Sequence, residues 1–169
     1  MTSVLKMIFT VVLFLFRFKD MNFSKERRMD YRGKLYYMKE FRNHLVQFLD
    51  ELIEQFPNEP NFVIMRIFIK DQAPVEAVMG RFIRDILPFR KQAQERDHKF
   101  FIDHPFLFLS EEDVDSVGKE NINYFTQLWQ SDVLDESDRE IIWSWLDIFM
   151  EFGHKYFTQY GYVPGFEKN

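Results

Sequence analysis

Two Glu-x-x-His steps, Glu95-Arg96-Asp97-His98 and Glu151-Phe152-Gly153-His154, are the sharpest chemical pattern in the chain. A carboxylate and an imidazole three positions apart share a helix face, and four-helix di-iron proteins use that element twice, with one further Glu from each of two other helices. Glu51 or Glu54, and then Glu120, stand in the right chain order to fill those places. The geometry of the last helix argues the other way. At 100° per residue Glu151 falls roughly 120° from the centre of that helix's apolar stripe, and His154 about opposite it. The first pair likewise lies opposite Phe89, Ala93 and Phe100. Glu95, His98, Glu151 and His154 are thus an alternative metal set, weighed against ordinary surface pairs. Asp97-His98 and Asp103-His104 recur at a spacing of six, which does not bring both histidines to one helix face, and His44 sits among polar neighbours. Exposed or capping histidines are the expectation for all four. No Gly-x-Ser-x-Gly turn occurs, and six scattered glycines build no phosphate-cradling loop, so hydrolase and nucleotide-dependent chemistry lack a motif. Zero cysteines exclude zinc ribbons, thiol redox chemistry and cysteine nucleophiles, and they point to an intracellular setting. No cofactor is implied.

The elements that would position such groups read as helices. From Tyr36 to Phe56, the residues Phe41, Leu45, Phe48, Leu49, Leu52 and Phe56 recur at steps of three and four, with Glu40, Asn43, Gln47, Asp50 and Glu51 off the stripe and Pro57 closing it. Residues 61–70 are almost solidly apolar. Their β-branched members favour a strand, while Asn58 as cap and Pro60 in the first turn favour a helix, and a helix is predicted because a lone strand has nothing to pair with. Pro74 opens a helix on Val75, Val78, Met79, Phe82, Ile83 and Ile86 that ends near Pro88. Gly80 lies inside it at a cost of about 1 kcal/mol, recoverable where another helix approaches closely. Residues 89–103 are expected as one more polar helix, 104–109 as an apolar crossing and 118–130 as a short helix. Asp135 caps the last long helix through the amide of Ser137 or Asp138. That helix carries one stripe on Ile141, Ile142, Trp145, Ile148, Phe149, Phe152 and Tyr156, and a second on Trp143, Leu146, Met150 and Phe157. A helix apolar on two sides is central in its domain or also touches a partner. The tail after Gly161 is expected to be loose, and no internal repeat is expected.

With 169 residues, 46% of them hydrophobic, the chain suits one domain that needs neither disulfide nor structural metal. Its 21 Phe, 7 Tyr and 3 Trp exceed what one small core readily hides, which predicts an exposed apolar patch. Residues 1–42 carry 10 basic and 4 acidic side chains, and residues 43–169 carry 12 and 23, a basic arm on an acidic body. Such an arm fits phosphates or an acidic neighbour, whereas the body is a poor nucleic-acid surface. Residues 110–151, with 12 acids against 2 bases, form a solvated face or a dock for a basic protein. The apolar run 7–16 is too short to span a bilayer and lacks a cleavage site behind it. It reads as translated leader, as a segment docked on a partner, or as a membrane-interface anchor. Methionines at 21 and 29 make a later start conceivable. Lys25, Arg27, Arg28, Arg32, Lys34, Lys39 and Arg42 alternate with Tyr31, Tyr36 and Tyr37, a composition suited to single-stranded nucleic acid, anionic lipid or an acidic protein.

Two stretches, FLDELIEQFPNEPNFVIMRIFIKDQAPVEAVMGRFI (Phe48–Ile83) and LWQSDVLDESDREIIWSWLDIFMEFGHKYF (Leu128–Phe157), resemble small helical proteins of the large double-stranded DNA viruses of algae and protists. The resemblance covers residues 36–157, stops short of the stretch before Met29 and transfers no catalytic residue. It implies a viral protein made in the host cytoplasm, with the virion and its capsid shell as its setting. Together these readings predict an all-α, single-domain bundle of five or six helices, with an arm over residues 1–35, a helical domain over 36–160 and a tail over 161–169. They predict a non-enzymatic structural protein, a minor capsid component bound to other capsid proteins. Its contacts are expected at Trp143, Met150 and Phe157 and at Arg27, Arg28, Arg32 and Lys34, so that Trp143→Ala weakens assembly more than folding. The alternatives are the di-iron protein and an adaptor that binds nucleic acid or a membrane through its arm.

Overall fold

The computed structural model describes residues 31–55, 57–58, 60–103 and 135–168, and these are helical with no strand among them. The apolar crossing expected at 104–109, the short helix expected at 118–130 with Glu120, the apolar run 7–16 and most of the arm, including Arg27 and Arg28, lie outside the described residues. Helix α1 (Tyr31–Gln55) begins within the segment read as arm, and it buries Phe41, Leu45, Phe48, Leu49 and Leu52 of the stripe the spacing predicts, together with Met38; Phe56 lies outside the described residues. Helix α2 (Pro60–Ile67) starts on proline, whose missing amide costs nothing in a first turn. The apolar stretch 61–70 is therefore helix rather than strand.

Helix α2 ends in a π-helical turn, Phe68–Gln72, closed by the Ala73 amide on the Phe68 carbonyl at 2.8 Å. Pro74 follows at φ −59°, and helix α3 (Val75–Arg81) ends in a second π-helical turn, Phe82–Ile86, just before Pro88. The two π turns expose a repeat that was not expected. Met65-x-x-Phe68-Ile69-Lys70-Asp71-x-x-Pro74 returns 14 residues later as Met79-x-x-Phe82-Ile83-Arg84-Asp85-x-x-Pro88. Its final proline supplies the physical cause. The ring has no amide for the carbonyl four residues back and presses on it, so the ladder widens by one residue before it stops.

A short 3₁₀ turn, Leu87–Phe89, leads to helix α4 (Arg90–Gln94) and then helix α5 (His98–Asp103). The single helix expected over 89–103 is broken. The Asp97 amide bonds the Gln92 carbonyl at 2.9 Å and the Arg96 amide the Ala93 carbonyl at 3.1 Å, the paired bonds of a Schellman stop. Asp97 then caps α5 by accepting from the Phe100 amide at 2.9 Å.

Helix α6 (Glu136–Tyr160) starts at a reciprocal capping box: Asp138 N donates to Asp135 Oδ1 at 2.8 Å, and Asp135 N to Asp138 Oδ2 at 3.2 Å. The expected cap is present, on Asp138. Asp135→Ala should remove about 1 kcal/mol of stability, read as a lower thermal midpoint; an unchanged midpoint would show that the cap is redundant.

α6 lies antiparallel along α1. Gln55 Nε2 donates to Asp138 at one end, Trp145 Nε1 to Glu51 at 2.8 Å further in, and Tyr37 meets Tyr156 and Tyr160 at the other end. Between these ties runs an aromatic seam, in which Phe41 stands 5.0 Å from Phe82 and 5.4 Å from Phe149, while Phe48 packs on Trp145. α2 and α3 also pack on α1, so the core is the volume these four helices enclose. The tail is not loose. Val163 and Phe166 are buried, and the Phe166 ring lies where a Cβ on Gly80 would stand, 2.5 Å from its Cγ. The close approach that glycine permits is thus made by the tail and not by a helix.

Candidate interaction surfaces

The residues expected at contacts divide sharply by burial. Trp143 is 4% exposed and Met150 2%, so both are core residues rather than docking residues. The face that carries Trp143 is covered by the α4–α5 corner: His98 stands edge-on to its indole at 5.3 Å, Phe101 at 5.7 Å, and the Arg96 guanidinium lies 5.4 Å from the ring centroid. The two-sided apolarity of α6 marks a central helix. Phe157 remains at the surface, 37% exposed and edge-on to Tyr162. Of the arm residues, Arg32 is exposed, while Lys34 is half-buried with its ammonium 5.4 Å from the centre of the Tyr160 ring.

The metal set does not assemble. Glu95 ends α4 and His98 begins α5, on opposite sides of the break, so the first Glu-x-x-His step is not carried by one helix. Glu95 faces Lys91, and Glu151 faces Lys155 at 3.2 Å and Arg90 at 3.7 Å. Glu51 is taken by Trp145. Among the described residues no group of three metal-ligating side chains converges. His44 packs on Phe152 at 4.7 Å and donates from Nδ1 to the Glu40 carbonyl at 2.7 Å, the half-buried structural role of a helix histidine.

The α4–α5 corner is held to α6 by an ion pair. Arg96 holds φ +52°, a left-handed conformation that glycine usually fills at a helix end. Its guanidinium reaches Asp147 of α6 through two parallel bonds of 2.8 and 2.6 Å, and hydrogen bonding to that carboxylate lifts its pKa above the usual arginine range. An arginine tolerates the backbone here because it ties the corner to α6. The two terms are of similar size: the left-handed conformation costs about 1 kcal/mol, and a partly exposed pair returns up to about 1 kcal/mol. Arg96→Gly should therefore be near neutral alone and stabilising by about 1 kcal/mol in an Asp147→Ala background, measured by chemical denaturation. The same change in both backgrounds would refute the compensation.

Sequence reasoning did not single out the outer face of α2. Phe62, Met65 and Ile69 point into the core, yet Val63, Ile64 and Ile67, on the other side of the same helix, are 43%, 63% and 46% exposed. They follow the i, i+1, i+4 spacing of a second helical stripe. The signal was present in the near-continuous apolar run 61–70, which a helix cannot bury on one side alone. The expected exposed patch exists, but it is aliphatic, since most of the described aromatics are buried or half-buried. Among the described residues no helix is long and apolar enough to cross a membrane. The chain matches no family model, no curated protein and no solved structure.

Proposed function

We propose that this chain is a non-enzymatic structural protein that binds other proteins, a minor component of the capsid shell of a large double-stranded DNA virus. The outer stripe of α2 carries the reading: three aliphatic side chains aligned on a helix tied to α1 through the Arg66–Asp50 ion pair. A rigid aliphatic stripe suits the packing of a partner helix or an apolar shell surface and offers nothing to a polar small molecule. The viral setting is supported by the resemblance of Phe48–Ile83 and Leu128–Phe157 to small helical proteins of those viruses.

Quantitative mass spectrometry with cross-linking on purified particles tests the setting. A fixed copy number relative to the shell proteins is expected, and absence from the particle overturns it. Ile64→Asp tests the surface. The site is exposed, so the thermal midpoint should move by no more than about 2 °C, while incorporation into particles is lost. Incorporation at the normal level would remove the α2 stripe from the interface.

A further inference from the structure

Helix α1 changes sign along its length: it opens with Arg32, Lys34, Lys39 and Arg42 against Glu40, and closes with Asp50, Glu51 and Glu54. α6 is acidic at its start, with Asp135 as its cap and Glu136, Asp138 and Glu140 against Arg139, whereas further on Asp147 pairs with Arg96 and Glu151 with Lys155. Because the two helices are antiparallel, the acidic end of α1 meets the acidic start of α6 at the Gln55–Asp138 contact, while the basic start of α1 lies at the Tyr37–Tyr160 contact, beside the charge-balanced end of α6. The fold thus builds one bipolar body from the gradient of α1 and the acidic start of α6. Each pole also presents apolar surface: Tyr31 and Tyr36, 48% and 60% exposed, at the basic pole, and Ile141, 45% exposed, at the acidic one.

A helix of 25 residues is about 37 Å long, several times the screening length of about 8 Å at physiological salt. The poles of one molecule therefore cannot neutralise each other, and they act as separate, complementary patches. Pairing two copies at the same pole sets like charges together, and only an end-to-end contact sets opposite charges together. We infer that this chain self-associates head to tail, the basic, tyrosine-bearing pole of one copy docking on the acidic, Ile141-bearing pole of the next. The inference rests on the reading of the chain as a structural protein and goes beyond it by naming a second copy as one partner.

The test is sedimentation velocity on the full chain over a concentration series, at about 0.01 M and about 1 M salt, where the screening length is about 30 Å and 3 Å. Larger species are expected at low salt and monomer at high salt. Two variants reverse one pole each, Arg32→Glu with Lys39→Glu and Glu54→Lys with Glu140→Lys, all at surface positions. Each alone should weaken association about tenfold or more, and an equimolar mixture of the two should restore it. A wild-type chain that stays monomeric at low salt, a salt-resistant oligomer, or variants that associate like wild type would each overturn the contact. Because the chain has no cysteine, Tyr36→Cys and Ile141→Cys variants give an independent reading. Mixed and oxidised, they should form a crossed disulfide dimer in higher yield than either forms with itself, and equal yields overturn the head-to-tail geometry. A monomer in solution would leave the copy number in particles untouched, so the two proposals fail separately.

Discussion

Trp143→Ala is expected to cost about 3–5 kcal/mol of folding stability, the range for deleting a large buried aromatic. The indole is 4% exposed and is the piece against which the α4–α5 corner closes, with His98, Phe101 and Arg96 all upon it. Removing it opens a cavity at a junction already bent by a left-handed arginine. The loss should appear both as a lower denaturation midpoint and as faster amide exchange in 98–103. Ile64→Asp is the counterpart, leaving stability unchanged and removing an exposed anchor. Should Trp143→Ala prove nearly neutral, the corner would not be part of the cooperative fold.

The second large effect concerns Gly80, where two opposing terms can be separated. Alanine in a helix interior is favoured over glycine by about 1 kcal/mol. At this site, however, a Cβ would stand 2.5 Å from Cγ, 2.6 Å from Cδ2 and 3.0 Å from Cβ of Phe166. These atoms lie near the root of the side chain, so no rotation of its far end relieves the clash, and the tail must lift. Exposing a buried Phe costs about 1.5–3 kcal/mol, and Val163 would follow. Gly80→Ala should therefore be destabilising by about 1–2 kcal/mol overall, and Gly80→Val by more. In a Phe166→Ala background the same Gly80→Ala change should become stabilising by about 1 kcal/mol. Denaturation of the four chains of this cycle checks the reversal of sign, and stabilisation in the wild-type background would mean that the tail does not seal this surface.

Strong periodicity and side-chain caps were legible in the sequence. The stripe of α1 and the Asp135 cap act locally, through spacing and through one carboxylate near two amides. The break at 95–97 was hidden because an arginine occupies the left-handed position at which a reader looks for glycine, and its compensation comes from Asp147, 51 residues away. The docked tail was hidden for a similar reason. Val163 and Phe166, separated by a proline and a glycine, have no periodicity, and their burial depends on a glycine in another helix. The 14-residue repeat is degenerate except at Met, Phe, Ile, Asp and Pro, and its meaning shows only as two widened turns. At the candidate surfaces the apolar faces of α6 were visible, but which of them was covered was not, since that is decided by the α4–α5 corner. The charge gradient of α1 and the acidic start of α6 were legible, and only the antiparallel pairing brings the two acidic ends together.

The seam that unites α1 with α6 also dictates an order of events at the ribosome. Its ties join residues 83 and 94 positions apart, and the plug on Gly80 comes from Phe166, 86 residues later. As the chain emerges from its N-terminus, Phe41, Phe48 and Phe82 are synthesised long before Trp145, Phe149 and Phe166 exist to cover them. Helices α1 to α3 can pack on one another as they are made, but the part of their shared apolar face that α6 covers stays open until residues 136–160 have been synthesised. A chain stalled before α6 therefore holds a partial core with an exposed aromatic face, a species that needs chaperone cover until its last helix docks.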